Sequence, residues 1–353
     1  MSYKAKVRDS NIELFRIFLM LMIIAHHYVV NSGITELYDF NQVSGNQVFL
    51  ELFGWGGKAG INCFLLVTGY FMCLQHFTWR KFLKLYLEVK FYTLLLPVIF
   101  FAIGKQELTF LFCFKKIFWI FSSMGAAFTP TFLALFLLIP FINRLIHAMD
   151  NKSHARLLLF LILFYTIAGS FFLNNFFEYI GWYVTVYLIG AYLRMYPLAI
   201  LGDVKKCSVL VAIVLFLSAA SILYFTYLNH SFHIYYFVAD SNRILAILSA
   251  VALFSLFRSV DLGQKRWINN ISSATFGIFL IHTQVNVRDW LWNEVFRVKD
   301  FFEDDYLWLH AIMTIITVYV TCLLIDMLRQ KLIEKPLFMW LDKRFPALSN
   351  KVK

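Results

Sequence analysis

Apolar runs of about twenty residues recur from one end of this chain to the other, separated by short basic loops, and no other feature restricts the fold as much. A helix needs roughly 20 mostly apolar residues to cross a bilayer. Ten runs of that kind lie near 11–30, 48–74, 83–103, 129–147, 156–174, 179–196, 207–228, 241–257, 269–290 and 307–330. The stretch 106–122 carries Lys115 and Lys116 and reads as interfacial or re-entrant. Composition agrees: 60% of residues are hydrophobic, only 15% are charged, and the mean hydropathy is +0.68. Soluble domains are about 45–50% apolar and about 25% charged.

Charge assigns a side to each loop, because Lys and Arg collect on the cytoplasmic face. With the N-terminus inside, 22 of the 32 basic residues fall in inner segments and six in outer loops. The other four, Arg16, Lys58, Lys90 and Arg243, lie within runs. This alternation predicts an all-α integral membrane protein: about ten transmembrane helices in one bundle, both termini cytoplasmic. It also accounts for the net charge of +11, which orients the chain at an anionic leaflet and makes nucleic acid an unsuitable partner. The first run is too long and too charged for a cleaved signal peptide and reads as a signal anchor. The five cysteines sit in or beside apolar runs without a C-x-x-C pattern, so they read as packing residues and no metal site is expected. No outer loop is long enough for a soluble domain, and residues 1–353 read as a single transmembrane domain.

The first run, "NIELFRIFLMLMIIAHHYVV" (11–30), carries Glu13, Arg16, His26 and His27. At 100° per residue, the eleven steps from Arg16 to His27 come within about 20° of whole turns. The two share one helix face, about 16 Å apart along the axis. Glu13, three residues before Arg16, joins that stripe, while His26 points about 100° away from His27. Ionisable residues inside a membrane usually face a bundle interior or a water-filled path, and they are functional candidates by default. The plain alternative is a Glu13–Arg16 pair near the interface, with His27 bonded to another helix.

An Arg, ten residues, then a His in the first span, with an acid three before the Arg, resembles the membrane acyltransferase family 3. Further segments are similar in the same order: "GINCFLLVTGYFM" (60–72), "WRKFLKLY" (79–86), "FLALFLLIPFINRL" (132–145), "YLIGAYLR" (187–194) and "ISSATFGIFLIH" (271–282). The likeness covers most of the chain. It departs from the family pattern at Thr68, where Ser is usual, at Asn62, where Asp is common, and at Lys81 and Lys84, which replace arginines. "TPTF" (129–132) lacks the usual Trp and Tyr.

The resemblance implies an O-acyltransferase of a bacterial cell membrane. It would move acetyl from acetyl-CoA, a cosubstrate and not a resident cofactor, to a hydroxyl of a surface or lipid-linked polysaccharide. A histidine of near-neutral pKa suits deprotonation of an attacking hydroxyl. His27 is the candidate base, or itself takes the acyl group; Glu13 and Arg16 are candidates to hold geometry or contact the donor. Arg80, Lys81 and Lys84 are candidates for the CoA phosphates, which Arg and Lys bind well, or else anchor topology. His282 either meets His27 across the bundle or satisfies a helix–helix hydrogen bond. His26, Thr68 and Asn62 are supporting candidates. In "GWGGKAG" (54–60), Gly56 and Gly60 have the spacing for close helix approach, and Lys58 reads as snorkelling outward. Expected partners are membrane lipid, a glycan acceptor and glycan-assembly proteins. The rival classes are a glycan transporter or flippase, which would use the stripe as a path and not need acetyl-CoA, and a glycan polymerase.

Overall fold

A computed structural model describes residues 9–118, 128–172, 179–229, 234–238 and 240–349. Among them every regular element is helical. The helices are α1 (Ser10–Val30), α2 (Gly45–Gly54), α3 (Gly57–Met72), α4 (Trp79–Ala102), α5 (Phe110–Phe118) and α6 (Phe128–Ala148). There follow α7 (Asn151–Phe171), α8 (Tyr179–Met195), α9 (Val204–Tyr227) and α10 (Ile244–Ser259). The chain ends with α11 (Arg266–Ser272), α12 (Thr275–His282), α13 (Val285–Trp290) and α14 (Leu307–Arg344). The face of the bundle at Ser10 is called lower and the face at Val30 upper.

Six helices, α1, α4, α6, α7, α9 and α14, are each long and apolar enough to cross a membrane alone. The other predicted runs are built from shorter pieces. The run 48–74 is α2 and α3, broken at Trp55 and Gly56; 269–290 is the series α11, α12 and α13. Of the ambiguous stretch, Phe110–Phe118 forms α5 and 119–122 lie outside the described residues. Residues 230–233 and 239, between α9 and α10, also lie outside them. Exposed apolar side chains such as Val98 and Phe101 on α4, Ile213 and Phe216 on α9, and Leu324 and Leu328 on α14 cover the outside. Water would not tolerate this much apolar surface, and lipid requires the internally bonded backbone that helices supply. The chain is a multi-pass membrane protein.

Local chemistry explains the helix ends. Ser44, Thr78, Asp150 and Asp203 each accept a backbone N–H from the first turn of α2, α4, α7 and α9, satisfying donors that a helix start leaves open. Pro97 and Pro140 stand inside α4 and α6, as neighbouring helices permit in membranes. Helix α14 carries a wide turn over Gln330–Glu334.

Helix α3 is central. A Cβ at Gly190 of α8 would meet the Leu66 carbonyl and the Tyr70 amide of α3, and one at Gly69 would meet the Tyr187 backbone. The two backbones touch only because both residues are glycine. Gly60 admits Ile23 of α1 at 3.1 Å from its Cβ position, and Gly56 admits Met22. Two large buried cores result, beside a small cluster of Ile222, Ile234, Val238 and Leu245. One joins α3, α8 and α10 to the lower half of α1 through Phe15, Leu19, Trp182 and Phe254. The other joins the upper half of α1 to α12 and α14 through Ile24, Tyr28, Ile278 and Val318. Ile61, Phe64 and Phe128 pack against both cores, and along that seam the interior opens.

Candidate active site

Helices α1 and α12 bring two histidines together from opposite ends of the chain. His27 Nδ1 lies 3.0 Å from His282 Nε2. His282 is fully buried, and its Nδ1 is 2.6 Å from the Ile278 carbonyl of its own helix. A carbonyl can only accept, so His282 Nδ1 carries a proton and its Nε2, in the neutral ring, presents a lone pair. His27 Nδ1–H therefore donates to His282, which leaves the lone pair on His27 Nε2. This network fixes the tautomer of both rings. The result is an oriented base backed by a second imidazole and a carbonyl. Phe279 packs beside both rings, with centroids 6.4 Å from His27 and 6.0 Å from His282.

His282→Phe should test this arrangement. The change keeps a buried ring but removes the acceptor for His27 Nδ1–H, freeing the wrong tautomer. The turnover of whatever reaction uses His27 should fall about 10²-fold with His27 still in place. An unchanged rate in a correctly folded variant would show that the relay is not used.

The second histidine of the pair does something else. His26 Nδ1 lies 2.6 Å from the Gly54 carbonyl, so it donates to the open end of α2 where the α2–α3 run breaks. A Cβ at Gly57 would overlap the His26 ring, so this glycine makes room for it. His26 thus braces the break, and Lys58 beside it lies within electrostatic range of His27, as does Arg288 of α13.

Below the histidines, a cavity follows the seam. Its upper part, about 260 Å³, is mostly aromatic and aliphatic and ends at Ile23 and Phe279. Ile23 is one turn below His27 on the same face of α1. The lower part, about 670 Å³, sets Glu13, Arg16, Gln75, Lys81, Lys84 and Glu88 into a wall that also holds Phe71, Met72 and Phe136. Arg16, Thr68 and Lys84 line both parts and mark the junction. Glu13 is buried, lies 3.7 Å from Arg16 and accepts from the Ser272 hydroxyl; it ties α1 to α11. Arg16 Nε has no hydrogen-bond partner among the described residues, so the guanidinium retains donor capacity at the junction. Thr68 donates to the Phe64 carbonyl at 2.8 Å, holding its methyl and lone pairs at the cavity wall.

The structure separates the other sequence candidates. Arg80 forms a two-pronged pair with Asp342 of α14, at 2.7 and 2.9 Å, and stacks over Phe338. It does not line the cavity that Lys81 and Lys84 line. Asn62 is fully buried, donates to the Ser241 carbonyl at 2.6 Å and accepts from Trp182 Nε1 at 3.0 Å. It clamps α3 to α8 and to the start of α10, away from the cavity.

One cluster gathers Glu88 and Asp326, which the sequence marks only as residues that pair or anchor a helix end, around Arg329. Arg329 of α14 is 2.7 Å from Asp326, 3.1 Å from Glu88 of α4 and 3.0 Å from Glu334, with its side chain only 5% exposed. Asp326 also accepts from Tyr92 at 2.8 Å and from Gln330 at 2.7 Å, and Lys84 pairs with Glu334 at 2.6 Å. A Cβ at Gly277 would strike the Asp326 carboxylate, so α12, which carries His282, rests directly on this cluster. The available signal was an Asp and an Arg three residues apart at the end of an apolar run, which reads equally well as ordinary anchoring.

On the upper face a second cavity, about 410 Å³, opens one turn above His27 between Asn31, Glu36, Arg288, Asn293 and Lys299. Among the described residues, no group of three or more His, Cys, Asp or Glu side chains is placed to hold a metal ion. All five cysteines are free thiols.

The whole chain was compared with known proteins. A family model described as an acyltransferase domain, acyltransferase 3, matches residues 9–326. No curated protein and no solved structure matches.

Proposed function

The chain belongs to the acyltransferase 3 family, and from that premise we propose that it transfers acetyl from acetyl-CoA to a hydroxyl of a surface or lipid-linked glycan, in a bacterial cytoplasmic membrane. The observation that carries this reading is the His27–His282 relay standing just above the inner end of a cavity whose mouth carries Arg16, Lys81, Lys84 and Arg194 among its charged groups. The lower face is cytoplasmic, because 22 of the 32 basic residues lie in segments assigned to it. The chain then passes between the faces ten times, with the α2–α3 run and the α11–α13 series each making one pass. Ser10 and Arg344, where the first and last helices begin and end, both lie inside.

Acetyl-CoA enters from below. Its phosphates meet Arg16 and Lys81 at the mouth, since Arg and Lys bind phosphate well, and Lys84 joins them by exchanging its Glu334 partner for phosphate. Arg80 of the same basic segment holds α14 through Asp342. The slender, largely uncharged pantetheine arm suits the narrow aromatic part of the cavity between Phe64, Phe132 and Phe276. This brings the thioester toward Ile23 and Phe279, below His27. An acceptor hydroxyl arriving from above gives its proton to His27 Nε2 as its oxygen attacks the thioester carbonyl. The C–S bond then breaks, and His27 returns the proton to the leaving thiolate. The products are an acetyl ester and CoA thiol. In this direct transfer the donor comes from below and the acceptor from above, and the attacking oxygen and the thioester carbonyl meet beside His27 Nε2. Glu13 fixes Arg16 and α11; His26 fixes the α2–α3 break beside His27.

Sidedness tests the proposal. In sealed inverted vesicles, where the cytoplasmic face is outermost, a membrane-impermeant thiol reagent in the medium should capture the CoA released during transfer. In right-side-out vesicles loaded with acetyl-CoA, the same external reagent should capture none. CoA appearing only on the non-cytoplasmic side would overturn the assigned direction.

A further inference from the structure

The upper cavity is unlike the rest of the bundle. Val30 is the one aliphatic side chain on its wall; the others are Asn31, Ser32, Glu36, Arg288, Asn293 and Lys299, with Gly33 between them. It is an open depression of about 410 Å³, with Glu36, Asn293 and Lys299 exposed at its rim. Its position follows from α1 itself. The Asn31 amide donates to the His27 carbonyl at 3.0 Å, so the cavity floor stands about 6 Å above the histidine along the helix axis. Gly33, at φ +73°, leaves the space in which the Lys299 stem lies.

The charges on the wall are already matched. Lys299 Nζ is 2.6 Å from Glu36, and Arg288 Nε is 2.9 Å from Asp289. A phosphate or carboxylate ligand would have to compete with Glu36 on the wall and with Asp289 beside it for these cations. A flat apolar ligand would find only Val30. What the wall offers is a mixed set of donors and acceptors: two side-chain amides, a carboxylate, an ammonium and a guanidinium. Sugar hydroxyls both donate and accept, and they are the ligand groups such a set satisfies.

We infer that this cavity is the acceptor subsite and that it binds an uncharged sugar ring of the glycan, positioned by Asn31, Asn293, Glu36 and Lys299 so that one hydroxyl reaches down to His27. The inference rests on the acyl-transfer reading and adds to it the place and the charge class of the acceptor.

The test uses the full chain in lipid nanodiscs, acetyl-labelled acetyl-CoA, and, as probe, surface polysaccharide from the cell of origin stripped of its esters with mild alkali. Initial rates are measured against each substrate for the wild type, Asn293→Trp, Lys299→Ala and the swap Glu36→Lys with Lys299→Glu. Asn293→Trp fills the cavity and Lys299→Ala removes a donor. Each should raise the KM for polysaccharide about tenfold, the equivalent of about one to two lost hydrogen bonds, and move the KM for acetyl-CoA less than twofold. The swap keeps the ion pair but exchanges donor for acceptor, so it should remain defective. Return of the swap to wild-type kinetics would show that the pair is only structural and overturn the inference. So would an unchanged polysaccharide KM, or a parallel rise of both KM values. Carboxyl-reduced polysaccharide should be as good an acceptor as the native form; loss of acceptor activity on reduction would overturn the uncharged class. No labelled ester from the wild type would fail the acyl-transfer reading itself and the inference with it. Ester made equally well by every variant fails the inference alone.

Discussion

His27→Ala is expected to lower acetyl transfer by about 10²–10⁴-fold, the usual contribution of a positioned general base, while leaving the bundle assembled. The side chain makes its hydrogen bond to His282 and otherwise faces Phe279 and its neighbour His26, so truncation removes the lone pair without uncoupling the helices around it. The readout is the O-acetyl content of the surface glycan in a deletion strain complemented with wild type or variant, at matched membrane levels. Labelled acetyl transfer by the purified chain checks the rate. His26→Ala serves as the comparison: it loses the bond to Gly54 and should cost less, through a looser α2–α3 break. Equal losses from the two changes would remove the special place given to His27. Wild-type acetylation in the deletion strain itself would turn attention to the transporter and polymerase readings.

Arg329→Ala is expected to be the most damaging single change to stability. It would leave Glu88, Asp326 and Glu334 buried around an empty site, with Lys84 their one remaining cation in the cluster. Removing one partner from a buried charge network typically costs about 3–5 kcal/mol, because the partners left behind stay desolvated and unpaired. The loss should appear as a lower unfolding midpoint in detergent and a smaller monodisperse fraction. The triple change Arg329→Met, Glu88→Gln and Asp326→Asn removes most of the orphaned charge and should recover part of the midpoint. If Arg329→Ala unfolds at the wild-type midpoint, the cluster is solvated and does not hold α4 to α14. Because α12 rests on Asp326 through Gly277, the triple variant should also transfer acetyl more slowly than its stability alone explains, through displacement of His282.

Much of the site could be read from the chain because helix geometry is local. Arg16 and His27 share a stripe for the same reason in any α-helix, and in the structure Arg16, Met20 and Ile23 of that face line the cavity below His27. The glycines of "GWGGKAG" pack against α1 as their spacing suggests. The basic segment of residues 80–84 was legible as a group, but its members were not distinguishable, since all three sit within one and a half turns. Their partners lie more than 240 residues away for Arg80 and Lys84, in the sequence neighbour Gln75 for Lys81. Asn62 looked like a site residue by its place in a motif, and only its buried bonds to Ser241 and Trp182 reveal a clamp.

By itself the sequence determined that this chain crosses a membrane many times, how its basic residues alternate between successive loops, and which residues share a face of the first helix. Run length, charge placement and the 3.6-residue repeat act along the chain, and no distant contact is needed to impose them. The tertiary structure alone decided that His282, 255 positions away, is the partner that sets the tautomer of His27. It alone gathered Glu88, Asp326 and Arg329 into one buried cluster under α12 and opened the cavities on either side of the histidines. Those outcomes depend on the register and depth at which separate helices meet. That register is set by side-chain volume at contacts such as Gly69 on Tyr187 and Gly277 on Asp326, where close packing allows one arrangement and excludes its neighbours.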